Sequence, residues 1–222
     1  MAVIHQTTLT PGKLELIAAW LPRQPWYAAA GAEPQLDRAG GFRLDDPDGA
    51  VGLEFMVVTD SSGETPVAYH VPLTYRGAPF DVPAAALIGT AEHGVLGTRW
   101  IYDGAYDPVL AGQLLALILG TAQAQAQRVS DTPDPMVASQ YAGPPLTASL
   151  AALAVADTAD GTDLRLTLDR PNDQEGTGVT VRILRRLSPA HADDTHNPGW
   201  VVAGWQLPDG TGHRGEFALL LP

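Results

Sequence analysis

Glycine and proline occupy 42 of the 222 positions of this chain, 23 and 19 respectively, against an average share of about 12% for the two together. Glycine tolerates backbone angles that other residues avoid, and proline breaks both helices and inner strands. A chain so often interrupted folds into short strands joined by turns rather than into long helices. At 45% hydrophobic residues it still has the apolar content for a real core.

The breaks fall between segments that read as strands. Phe42 to Leu44, Ala50 to Thr59 and Val67 to Leu73 are separated by Asp46-Pro47-Asp48-Gly49 and Asp60-Ser61-Ser62-Gly63, both good turn sequences. Such short links predict an antiparallel meander. Val51, Leu53, Phe55 and Val57 alternate with Gly52, Glu54, Met56 and Val58, giving one strongly apolar face and one mixed face. Ala86 to Ala91 and Thr98 to Tyr102 are further strands.

Two helices are expected. Thr10 as N-cap and Pro11 at the first helical position introduce LELIAAWL, with Leu14, Ile17, Ala18 and Leu21 on one face and Pro22 as the stop. Asp107-Pro108 caps a second helix, with Val109, Leu110, Leu114, Leu117 and Ile118 apolar and Gly120 at its end. Residues 122 to 145 read as a connector, with a strand near Met136 to Tyr141. Beyond it come strands at Thr147 to Val155, Asp163 to Leu168, Gly178 to Leu187, Trp200 to Gln206 and Gly215 to Leu221. The expected fold class is α+β: a curved antiparallel sheet with helices packed on one side, followed by a smaller, mainly antiparallel β unit.

Charge and composition exclude several functions. The net charge of −12 argues against nucleic acid or an anionic membrane as partner. No apolar run reaches the roughly 18 residues a membrane span needs. The start, Met1-Ala2-Val3-Ile4-His5, lacks the pattern of a secretory signal. The absence of cysteine removes thiolate nucleophiles, disulfides and cysteine-based zinc sites. These features predict a cytoplasmic protein. No GxSxG elbow is present for a serine hydrolase.

The stretch from Val67 to Pro108 resembles the N-terminal cap of maltokinases. The matching pieces are Tyr69-His70-Val71-Pro72-Leu73, Tyr75-Arg76-Gly77-Ala78-Pro79, Leu87-Ile88-Gly89-Thr90, Glu92-His93-Gly94-Val95-Leu96-Gly97, Arg99-Trp100 and Tyr102-Asp103-Gly104 ahead of Asp107-Pro108. The resemblance implies a cap domain over residues 1–143. It also implies that residues 144–222 form a β unit similar to the kinase N-lobe region that follows the cap. In that family the cap does not carry phosphotransfer chemistry.

Within the tail, Val179 to Pro189 is similar to the strand that carries the nucleotide-gripping lysine, and Arg182 stands at that position. Arginine does not replace a lysine used as a compact point charge, and the sole lysine of the chain is Lys13. Neither a His-Gly-Asp catalytic loop nor an Asp-Phe-Gly metal motif occurs. With the chain ending at Pro222, before a C-terminal lobe, no self-contained kinase activity and no cofactor are expected. The one GxGxxG, Gly210 to Gly215, neither leads from a strand into a helix nor precedes the Arg182 strand, so it reads as a hairpin turn.

His191, Asp193, Asp194 and His196 form the densest metal-type group, but Pro189, Pro198 and Gly199 around them suggest a loop. No metal site is assigned there. A candidate ligand or partner surface comprises Glu54, His70, Tyr75, Arg76, Glu92, His93 and Trp100. If Glu54 and His70 face the same side of their hairpin, they line a concave surface with Tyr75, Arg76 and Trp100.

Three functions remain open. One is a non-catalytic interaction or regulatory module whose partner is a sugar kinase or another enzyme of maltose, trehalose or glycogen metabolism. The second is a binder of a saccharide or sugar phosphate on the concave face. The third is an accessory subunit of a sugar kinase that contributes to nucleotide binding.

Overall fold

The computed structural model describes residues 9–28, 31–127, 129, 131–146, 149–159, 161–169, 176–189 and 197–222. In chain order its elements are β1 (Leu9–Thr10), α1 (Lys13–Trp20), β2 (Leu36–Leu44), β3 (Gly52–Asp60), β4 (Val67–Arg76), β5 (Leu87–His93), β6 (Gly97–Asp103) and α2 (Pro108–Ile118). These are followed by β7 (Gln125–Ala126), β8 (Ala138–Tyr141), β9 (Ser149–Asp157), β10 (Gly161–Asp169), β11 (Thr177–Leu184), β12 (Arg186–Leu187), β13 (Gly199–Gln206) and β14 (Gly212–Leu220). The molecule is mostly antiparallel β-sheet, and the two α-helices contribute far less than an α+β description suggests.

All the strands join one hydrogen-bonded system, whose main path is β1-β5-β6-β4-β3-β2-β13-β14-β11-β10-β9. That path also closes on itself. After β11 the chain needs only Arg185 to reach β12, which pairs back onto β4 through Arg186↔Tyr69 and Leu187↔Ala68. Six strands, β4-β3-β2-β13-β14-β11, therefore form a ring, with β12 as the seam. Hydrogen bonding runs unbroken between the part before residue 143 and the part after it.

The meander expected from the turn sequences is present as β2, β3 and β4. In the first turn Asp46 accepts hydrogen bonds from the N–H groups of Asp48, Ala50 and Val51, and Gly49 takes a positive φ of 67°. The strand expected from Phe42 begins earlier, at Leu36, because it passes through a bulge between Arg38 and Gly40. Gly40 and Gly41 make this course feasible. A Cβ on Gly40 would lie 3.1 Å from the Gly204 carbonyl oxygen, where β13 meets β2, and one on Gly41 would lie 2.0 Å from that of Phe55.

Both faces of β3 are covered, and every residue from Leu53 to Asp60 is buried. Phe55, Val57 and Leu53 face the ring interior and a core that includes Phe42, Leu110, Leu114, Phe217 and Trp205. Phe42 lies flat on Phe55 at 4.6 Å between ring centroids, and His70 and Phe217 continue the aromatic filling at 4.7 Å from each other. Met56 and Val58, on the face read as mixed, join a second core with Ile17, Trp20, Leu21, Tyr69, Val71 and Leu73.

The helices consequently lie on opposite faces of β3, not on one side. α1 covers the Met56 face and α2 belongs to the core on the Phe55 side. α1 starts two residues later than expected: Thr10 belongs to β1, Gly12 is the N-cap, and no side chain caps the helix. α2 begins as read, with Asp107 accepting from the Val109 N–H and Pro108 in the first turn. Gly120 closes it at φ 74°, its N–H donating to the Leu117 carbonyl while the Thr121 N–H reaches that of Ala116.

Candidate functional site

Glu54 is the most densely connected polar residue of the outer face. It points from the middle of the sheet toward α1 and is 3% exposed. Its Oε2 accepts from Lys13 Nζ at 2.6 Å and from the Tyr75 hydroxyl, while Oε1 accepts from Gln127 Nε2 at 2.8 Å and Arg38 Nη2 at 3.2 Å. Tyr75 sits diagonally across β3–β4, because Glu54 pairs with Leu73 and Gly52 with Tyr75. Gln127 reaches across Gly41, which has no side chain to block it.

Four donors match the four acceptor positions of a carboxylate. Burial alone would raise the Glu54 carboxyl, but the Lys13 ammonium, the Tyr75 hydroxyl and the Arg38 guanidinium hold it below its ordinary value. Burial and the same carboxylate push the Tyr75 phenol well above its own. The sole lysine of the chain is thus committed to an internal ion pair, with its side chain 30% exposed. Lys13 also lies over the Tyr75 ring, 5.0 Å from its centroid.

His70 does not share that side with Glu54. In the β3–β4 register it pairs with Val57, one residue out of phase with the Glu54↔Leu73 pair, so it points into the ring. It is fully buried between Phe55 and Phe217. Its backbone N–H donates to the Arg185 carbonyl, and its Nδ1 lies 3.1 Å from that of Leu184. A carbonyl only accepts, so Nδ1 carries the proton of the neutral ring. Burial, with the Arg185 charge nearby, lowers the imidazole pKa to about 3.

The remaining residues of the expected surface disperse. Arg76 clamps Asp107 through two 2.7 Å bonds and covers the Phe80 ring at 4.1 Å, tying β4 to the start of α2. Trp100 is half-buried and pairs with Arg76 and Thr90 on the face opposite Tyr75. Glu92 and His93 stand at the β5–β6 hairpin, where Glu92 accepts from the Thr98 hydroxyl and His93 Nδ1 accepts from the N–H groups of Val95 and Leu96. Of the seven, Glu54 and Tyr75 are joined by a hydrogen bond, Arg76 and Trp100 are cross-strand neighbours on another face, and no single surface gathers them all. Lys13, Arg38 and Gln127 escaped the sequence reading because they lie 41, 16 and 73 residues from Glu54.

The basic group Arg182, Arg185, Arg186 is not a surface cluster. Arg182 forms a two-point ion pair with Asp163 on β10, at 2.6 and 2.9 Å. Arg185 is completely buried: its Nη2 donates to Asp103 Oδ2 at 2.6 Å, its Nε to the Thr162 hydroxyl at 2.8 Å, and its guanidinium covers Trp26 at 4.8 Å. Burial pushes the Asp103 carboxyl above its ordinary value, although the Arg185 charge and hydrogen bond pull it down. Arg185 follows β11 directly and stands an odd number of positions after Arg182, a spacing that strand alternation assigns to opposite faces and that could have separated them.

Gly210 to Gly215 form the β13–β14 hairpin and the start of β14. The Leu207 N–H donates to the Thr211 carbonyl, the Gly210 N–H donates to the Leu207 carbonyl, and Gln206 pairs with Gly212. Arg182 pairs with Leu219, seven residues further along β14, or about 23 Å at the usual strand rise. The two features do not converge on one phosphate-sized site. The group His191, Asp193, Asp194 and His196 lies outside the described residues. Among the described residues no set of three or more acidic or histidine side chains is placed to hold a metal, and no helix is long and apolar enough to cross a membrane.

These features define a β-rich module whose buried charges are spent on its own architecture. The family model of the maltokinase N-terminal cap domain matches residues 20–107. The match takes in β2 to β6, the two core faces of β3 and the Arg76–Asp107 clamp, and so most of the Val67 to Pro108 stretch that carries the resemblance.

Proposed function

We propose that this protein is a non-catalytic cap module that docks on an enzyme of maltose, trehalose or glycogen metabolism, a sugar kinase being the first candidate. The observation that carries this reading is the cap-domain match over residues 20–107, in a region where Glu54, Arg76 and Asp103 are engaged in internal bonds. Residues held in this way support shape rather than turnover. The β5–β6 hairpin of the same region offers a contact point, since Val95 and Leu96 at its tip are 63% and 45% exposed.

Co-purification from a native lysate tests the reading. Recovery of an enzyme of this metabolism is expected, and its loss in Val95→Asp/Leu96→Asp would place the contact. Repeated recovery of the protein alone contradicts it. The half-exposed Lys13 and Tyr75 beside Glu54 favour a second reading, a binder of a saccharide or sugar phosphate. A thermal-shift series with maltose, trehalose, their phosphates and ATP with magnesium separates the two, being flat for the docking module and ligand-dependent for the binder.

A further inference from the structure

β9 ends the sheet, and among the described residues it pairs only with β10. Its sequence, Ser149-Leu-Ala-Ala-Leu-Ala-Val-Ala-Asp157, has no proline and no charge before its last residue. One bulge, at Ala151, falls near its beginning, and from Ala152 to Asp157 the register with β10 is continuous. Edge strands are ordinarily blunted by lysine, proline or a mid-strand bulge. This one keeps a regular six-residue template open.

Beside the edge runs a groove of about 460 Å³, with Leu153 and Val155 of β9 on one wall and Phe80, Val82, Pro83 and Tyr106 on the other. Leu153 and Val155 are only partly buried although they face the core through Leu166 and Leu164. The apolar layer is therefore unfinished along this edge. A further strand at the usual spacing of about 4.8 Å would direct every second side chain into the groove. The groove includes Asp81 and no lysine or arginine, and Asp157 closes the strand.

We infer that the β9 edge receives an extended peptide segment of another protein, neutral to basic, with apolar side chains at alternate positions. Charge argues for such a partner over a second copy, since two chains of net charge −12 repel each other. β9 lies outside residues 20–107, while Phe80, Val82, Pro83 and Tyr106 of the facing wall lie within them, so the inference rests on the geometry of the edge and groove and not on the cap reading.

A selection of random nine-residue peptides displayed on phage, run against the full chain, tests it. Enriched peptides are expected to alternate apolar and polar residues and to carry lysine or arginine. Synthesised in two forms, N-methylated at odd or at even positions, one form should bind at least tenfold more weakly, because one set of amides faces β9. Hydrogen exchange should slow at Ala152 to Asp157 on binding, and Val82→Asp should weaken binding with the fold intact by circular dichroism. Absence of enrichment, indifference to both methylation patterns, protection elsewhere, or a β9-mediated dimer in sedimentation would each overturn the inference.

Discussion

Acidification below pH 6.5 should destabilise this protein through His70. The ring is fully buried, stacked near Phe55 and Phe217, and titrates at about 3 where its ordinary value is 6.5. Between those two values the unfolded chain binds a proton that the folded chain refuses. Stability is therefore fully present above pH 6.5 and falls as pH drops, by about 1.4 kcal/mol per pH unit. Two units of descent, to pH 4.5, remove about 2.7 kcal/mol, a large share of the roughly 5–15 kcal/mol that holds a typical domain together. The assay is urea unfolding at pH 7, 6, 5 and 4.5 on the wild type and on His70→Asn, whose amide can still donate toward Leu184 but does not titrate. Carboxylate effects common to both cancel in the difference. The wild-type advantage should shrink by about 1.4 kcal/mol for each pH unit below 6.5, and a difference that stays constant with pH refutes the reasoning.

Three further outcomes follow from buried geometry. Arg185→Met should cost about 3–5 kcal/mol in chemical denaturation, since it leaves the Asp103 carboxyl uncompensated, and adding Asp103→Leu should recover much of that loss; additive losses would show that the pair is not coupled. Tyr75→Phe should cost about 1–2 kcal/mol and Glu54→Gln more, because the latter leaves Lys13 and Arg38 beside a neutral amide; equal thermal midpoints for wild type and both variants would count against the Glu54 hub. Gly212→Ala should be close to neutral, having open space and no left-handed φ, and Gly210→Ala at φ 84° should cost about 1 kcal/mol. Gly41→Ala should cost several times more because of the Phe55 carbonyl, and three similar values would refute the close-approach argument.

Local chemistry made much of this fold legible. Asp46 to Gly49, Asp107-Pro108, Gly120 and the Gly210 hairpin act through neighbours only a few residues away, and each appears where the sequence places it. The strand at Leu36 was hidden by Ala39-Gly40-Gly41, which resembles a break and is a bulge held open for β13. Glu54 could be singled out as a charged residue within a strand, yet its meaning lay in donors distant along the chain.

The sequence by itself determined the turns, most of the strands and the cap-like stretch, because these depend on backbone preference and on a two-residue period. Only the tertiary structure decided what lies over each face of β3. Periodicity says that Glu54 and His70 point apart once both are in register, but the register is itself a long-range outcome, as is the return of β12 to β4 that seals His70 inside. Burial then turned an expected surface imidazole into a neutral core ring and bound Arg185 to Asp103, because a charge's role depends on which distant groups replace its water.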